Sequence, residues 1–147
     1  MLGVSLVTSG YSGGYIENPT YKDVLTGKSG HIEVVQIEYD QEVVSYEELL
    51  DKFFFIHDPT TMNRQGPDVG GQYKSIIFYN NENERILAEE KIDQVNKSGE
   101  FENIVVTELK PFQAFYEAEE YHQDYVLKNG KLCYHQLYVQ YKSTPLP

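Results

Sequence analysis

Four polar side chains stand where loops run into apolar stretches. Tyr21 lies in a long polar connection, and Glu33 enters HIEVVQIEYD. Asp68 and Tyr73 close the glycine-bent run NRQGPDVGGQY. A carboxyl group removed from water loses solvation of its charged form, so its pKa rises. Such a group can hand over a proton near neutral pH. Two phenols beside it would hydrogen-bond a polar oxygen without adding net charge. The chemistry on offer is protonation of an oxygen held between two O–H donors. The alternative is structural, with Glu33 turned to solvent at a strand end and the tyrosines packing. Spacing leaves both open.

Other groupings carry less. Glu119 and His122 have the i, i+3 spacing of di-iron bundles, but that geometry needs a second such pair and two further glutamates. Such a set is not evident, and no metal is expected. GYSGG and DVGGQ lack the lysine-serine or lysine-threonine pair that a phosphate loop requires. His57, before Asp58-Pro59, reads as a helix-end residue favoured by the dipole. The single cysteine, Cys133, rules out an internal disulfide framework and a cysteine-based zinc site.

The elements that must position these groups follow from pattern. Val4 to Ser9 reads as a strand broken by GYSGG, and residues 17–30 as turn-rich connection. His31 to Asp40 reads as a strand, placing Glu33, Val35, Ile37 and Tyr39 on its more apolar face. Ser45 and Glu48 form a capping box for a helix that Asp58-Pro59 ends. Lys74 to Tyr79 is a buried-type strand, and Asn83 to Gly99 an amphipathic helix stopped by glycine. Ile104 to Leu109 reads as a further strand, and Glu117 to Gly130 as a last helix. Residues 131–147 are expected to be a loosely ordered tail. This order predicts one α+β domain over residues 1–147, a two-layer sandwich with helices packed on a mixed sheet.

Composition narrows the partners. A chain of 147 residues is long enough to bury a core. The formal net charge of -11, with lysines scattered, argues against nucleic acid. Apolar runs fall short of the roughly 20 residues a membrane span needs. No secretory signal pattern is visible, so a reducing, cytoplasmic setting is expected.

The runs GYSGGYIENPTYKDVLTGKSGHIEVVQIEYD, SYEELLDKFFFIHDPTTMNRQGPDVGGQYKSIIFY and PFQAFYEAEEYHQDYVLKN resemble peptide methionine sulfoxide reductase A. GHIE, HDPT, NRQG, the aspartate-to-tyrosine loop and YHQDY keep that family's order and approximate spacing. The resemblance runs from about Gly3 to about Asn129. It implies a ferredoxin-like core and an oxidoreductase that reduces methionine S-sulfoxide, free or in oxidised proteins, by thiol chemistry. A cysteine thiolate attacks the sulfur and a glutamate protonates the departing oxygen. The resemblance assigns that acid to Glu33 and the phenolic donors to Tyr21 and Tyr73. Asp68 joins the hydrogen-bonded shell of the pocket, and Cys133 stands near the family's resolving thiol. The reductant would be thioredoxin or another dithiol, with no bound cofactor.

The sequence also departs from the family. The Gly-Cys-Phe-Trp motif that carries the nucleophile has no counterpart, and the 147 residues hold no tryptophan. The expectation is an N-terminally incomplete member, missing the first strand and helix, poorly stable and inactive by itself. A non-catalytic binder of oxidised methionine and a complementing fragment of a split enzyme are the alternatives.

Overall fold

The computed structural model describes residues 1–123. Its first sheet has three strands in the order β2-β1-β7, formed by β1 (Val4–Ser12), β2 (Ile32–Tyr39) and β7 (Phe115–Glu117). All pairs in it are antiparallel, and the register sets Tyr11 opposite Glu33 on one side and Tyr116 on the other. A second sheet pairs β5 (Ile76–Tyr79) with β6 (Glu108–Pro111) in parallel. Between them in sequence, β3 (Arg64–Gln65) and β4 (Asp68–Val69) make a minimal hairpin.

Three helices complete the α+β architecture. α1 (Tyr21–Leu25) is short and begins at a Thr20–Asp23 capping box. α2 (Tyr46–Phe55) begins at the Ser45–Glu48 box, in which each residue satisfies the other's backbone N–H. It buries Leu49, Leu50 and Phe54, worth about 1.5–3 kcal/mol each in apolar burial. α3 (Glu82–Ser98) is capped by Asn81 and ends at Gly99, whose φ of 73° is the left-handed conformation glycine supplies without cost. α3 packs against α2, β5 and β6.

Four elements differ from expectation, each for a local reason. β1 continues to Ser12, because Gly10 lets the Phe115 ring approach its backbone: a Cβ there would stand 2.3 Å from Phe115 Cζ. The expected connection over residues 17–30 contains α1, whose Thr20-x-x-Asp23 signal lies in the sequence. The strand expected at Ile104–Leu109 forms instead at Glu108–Pro111. The N–H groups of Val105 and Val106 are taken by Asn96 Oδ1 and the Pro59 carbonyl, both at 2.8 Å, and so leave the ladder. The expected helix from Glu117 is replaced by the end of β7 and a 3₁₀ turn at Glu120–His122. There Ala118 N–H donates to Ser9 O at 2.9 Å, and the Gln123 side chain clasps both backbone groups of Ser9. Edge pairing with β1 outcompetes helical periodicity. The rest of that expected helix, Cys133 and the tail at 131–147 lie outside the described residues.

Among the described residues β2 pairs only with β1, and β5 only with β6. β2 and β5 both line a cleft of about 310 Å³, together with residues 9–12 of the central strand β1. Consecutive residues line it from both sides, 33–37 of β2 and 74–78 leading through β5. No helix among the described residues is long and apolar enough to cross a membrane.

Candidate active site

Glu33 is the second residue of β2 and lines the cleft, half-buried. Its cross-strand partner Tyr11 is 2% exposed and fills the space beside it. Directly opposed residues have Cβ atoms about 4.5–5.5 Å apart, so the two side chains share one neighbourhood. Burial, the Glu119 carboxylate and Glu33 together push the Tyr11 phenol well above its ordinary value.

Tyr21 opens α1. Its ring packs on the buried cluster of Tyr11, Val24 and Ala118 and lies tilted against His122, with centroids 4.3 Å apart. Asp68 and Tyr73 come from the glycine-bent loop, whose rigidity has identifiable sources. The Asp58 N–H donates to Gln65 Oε1 at 3.1 Å, while Gln65 Nε2 donates to Asp58 O at 3.0 Å. Gly70 N–H closes the hairpin on Asn63 O at 2.9 Å. Gly70 has φ 144°, and a Cβ there would meet Gln72 Oε1 at 2.4 Å. The 3₁₀ turn Gly71–Tyr73 then delivers Tyr73 to the cleft wall.

The residue after next, Ser75, is anchored as well. His57 Nδ1 lies 2.5 Å from the Phe53 carbonyl, which only accepts, so Nδ1 carries the proton. In the neutral ring Nε2 accepts from Ser75 Oγ at 2.8 Å, and Ser75 Oγ accepts from Thr107 Oγ1 at 2.7 Å. This relay ties the end of α2 to the start of β5. The helix-end place expected for His57 is where it sits.

Electrostatics link the four residues singled out by sequence. The Tyr73 phenol is pushed up from 10.0 to about 12, first by burial and then by the fields of Glu33, Tyr21 and Asp68. Those three groups therefore stand close enough to Tyr73 to oppose a negative charge on its oxygen. Glu33 and Tyr73 line the cleft wall itself. The phenol remains a hydrogen-bond donor throughout the neutral range.

Sequence reasoning passed over Tyr11 and Gln123, and weighed Glu119 only as one half of a metal-binding pair with His122. Glu119 Oε1 accepts from Tyr11 at 3.1 Å, and Oε2 accepts from the Tyr21 N–H and the Tyr121 phenol, each at 3.1 Å. Burial would raise its pKa, but the N–H groups of Tyr21 and Glu119 and the two phenols outweigh it and hold the carboxyl low. Tyr11 and Tyr21 lie about a hundred residues away in sequence, so no local pattern could announce those two contacts.

The arrangement combines a walled cleft, a half-buried carboxyl and neighbouring phenols on an α+β frame. Comparison with known proteins agrees in kind. The family model for peptide methionine sulfoxide reductase matches residues 1–146. Peptide methionine sulfoxide reductase MsrA of Saccharolobus solfataricus is 55% identical over 140 residues, covering 95% of this chain and 78% of that protein. The MsrA of Natronomonas pharaonis is 50% identical over 140 residues, covering 95% and 79%. Among solved structures, Mxr1 of Saccharomyces cerevisiae in reduced form superposes with a TM-score of 0.79 at 38% identity, over 89% of this chain and 75% of that one. Methionine sulfoxide reductase A of Corynebacterium diphtheriae gives 0.75 at 34%, over 89% and 67%. The chain belongs to the peptide methionine sulfoxide reductase family.

Proposed function

We propose that the cleft is the acid and oxygen-binding half of a site that reduces methionine S-sulfoxide to methionine. Tyr21 and Tyr73 donate hydrogen bonds to the sulfoxide oxygen, and Glu33 gives it a proton as the S–O bond breaks. Asp68 steadies the polar shell around Tyr73. A thiolate attacks the sulfur and takes the oxygen as a sulfenic acid, while the methionine thioether leaves. A second thiol then forms a disulfide and releases water, and a dithiol such as thioredoxin returns both thiols. The phenols and acid act where charge develops on the departing oxygen, the place at which fixed donors lower a barrier most. The observation that carries this reading is that Glu33 and Tyr73 line one cleft, with Tyr21 packed on Tyr11, the cross-strand partner of Glu33.

The 147 residues contain one cysteine, Cys133. We therefore expect these residues alone to turn over a methionine S-sulfoxide peptide negligibly with dithiothreitol, in a cytoplasm-like reducing buffer. Calorimetry should still detect the sulfoxide in preference to the thioether. Turnover near that of a complete relative would overturn the first statement, and equal affinity for sulfoxide and thioether the second.

The free edges of β2 and β5 favour a companion reading, the complementing fragment. A strand lying between them would add backbone hydrogen bonds to both and bring a nucleophile to Glu33. Mixing the chain with a synthetic peptide bearing the family's Gly-Cys-Phe-Trp segment should then restore turnover. Absence of any gain at saturating peptide would reject it.

A further inference from the structure

Glu33 lies opposite Tyr11 in the sheet and shares the cleft wall with Tyr73, and Tyr21 packs on Tyr11, yet the proposed reading uses only Tyr21 and Tyr73 as oxygen donors. The reason lies at Glu119. α1 has five residues, too short to hold its own place. The first N–H groups of a helix have no partner inside it. The capping box uses those of Thr20 and Asp23, through contacts of 2.8 and 3.3 Å. The Tyr21 N–H is left over, and Glu119 Oε2 takes it at 3.1 Å. The same carboxylate holds Tyr11 through Oε1 and Tyr121 through Oε2.

We propose that Glu119 is a positioning residue: by binding the Tyr21 backbone and the Tyr11 phenol together, it places the Tyr21 ring relative to Glu33 and withholds Tyr11 from the substrate oxygen. An ionised carboxylate only accepts, so the Tyr11 hydrogen must point at Glu119. Tyr11 is then the filler between Glu33 and the core, and Tyr21 is the phenol set for donation. The inference rests on the reading of Tyr21 as an oxygen-binding phenol, but its placement can be tested without any substrate.

The test is NMR of the 147-residue chain with labelled backbone nitrogen and tyrosine rings. Glu119→Ala should move the Tyr21 amide resonance upfield and abolish the nuclear Overhauser contact between the Tyr21 and His122 rings. Glu119→Gln should keep both, because its carbonyl can face the Tyr21 N–H while its NH₂ donates to the Tyr11 oxygen. Contacts between Phe53 and Phe54, which stand 5.0 Å apart in α2, should persist in every variant. An unchanged Tyr21 amide and ring contact in Glu119→Ala overturns the proposal. So does loss of the Phe53–Phe54 contact alongside them, which would make Glu119 a general support of the fold. A second arm measures binding of N-acetyl-methionine S-sulfoxide amide. Glu119→Ala should weaken it about tenfold, the cost of one misplaced hydrogen bond, and Glu119→Gln by less than about threefold. If the unsubstituted chain binds none, the proposed function fails, and the NMR arm alone decides the role of Glu119.

Discussion

In the proposed site Glu33 and Tyr73 would have separable duties, and substitution should separate them. Glu33→Gln keeps the shape and a donor but has no proton to give. In the chain complemented with the cysteine-bearing peptide, turnover should fall by about 10²–10⁴, the usual contribution of a positioned acid, while sulfoxide affinity changes little. Tyr73→Phe should instead weaken both, since a phenol that binds the oxygen does so before and during reaction. A Glu33→Gln protein with undiminished turnover would remove the acid from the scheme. The phenol also makes a pH prediction. Its pKa is raised from 10.0 in the unfolded chain to about 12 in the folded one. The native state therefore holds that proton more tightly. The resulting stability is fully present below about pH 10 and is lost as pH rises through 12. Tyr11 is shifted in the same direction, also chiefly by burial, and adds to the decline. Chemical denaturation should give a plateau from pH 7 to 10 and a falling midpoint above it. A midpoint that rises above pH 10 would contradict the burial of these phenols.

The loop and the short helix carry those residues, and each hangs on one or two local features. Gly70→Ala must place a Cβ at φ 144° against Gln72. We expect a loss of about 1–3 kcal/mol, as for strained backbone elsewhere, with Tyr73 displaced and sulfoxide affinity reduced. Thr20→Ala removes the cap of α1 and should cost about 1 kcal/mol, read by urea denaturation. These features also show what the sequence disclosed. The Ser45–Glu48 box announced α2, and the alternation of HIEVVQIEYD announced β2 with Glu33 on its apolar side. Thr20-x-x-Asp23 announced α1 just as plainly, but a turn-rich context concealed it. The Glu117–His122 segment was illegible for a different reason. Its conformation is set by Ser9 and Tyr11, more than a hundred residues earlier, through backbone pairing and the Gln123 clasp. Local periodicity cannot report a partner that arrives from so far away. The same distance hid the contacts of Glu119, while the four residues of the proposed site stood at loop-to-strand junctions, local features whose role spacing left open and the family resemblance supplied.

Among the described residues, the frame around the cleft is a three-stranded sheet and a separate parallel pair rather than one continuous sheet. An exposed strand edge is a row of backbone groups ready to pair. Among the described residues β2 pairs only with β1 and β5 only with β6, and both strands line the cleft. Hydrogen exchange should therefore divide β2 into slow amides bonded to β1 and fast ones between them. Adding a peptide that pairs with both edges would bind only the folded state and raise its melting temperature in proportion to the logarithm of excess peptide. The fast amides of residues 33–37 should become slow at the same peptide concentrations that restore turnover. If those amides are already slow in the chain alone, the edges are satisfied in solution and the cleft has no room for a strand. If they slow without any turnover, a strand can dock but does not bring its thiol to Glu33. Coincidence of the two titrations is the outcome that ties the open frame to the chemistry.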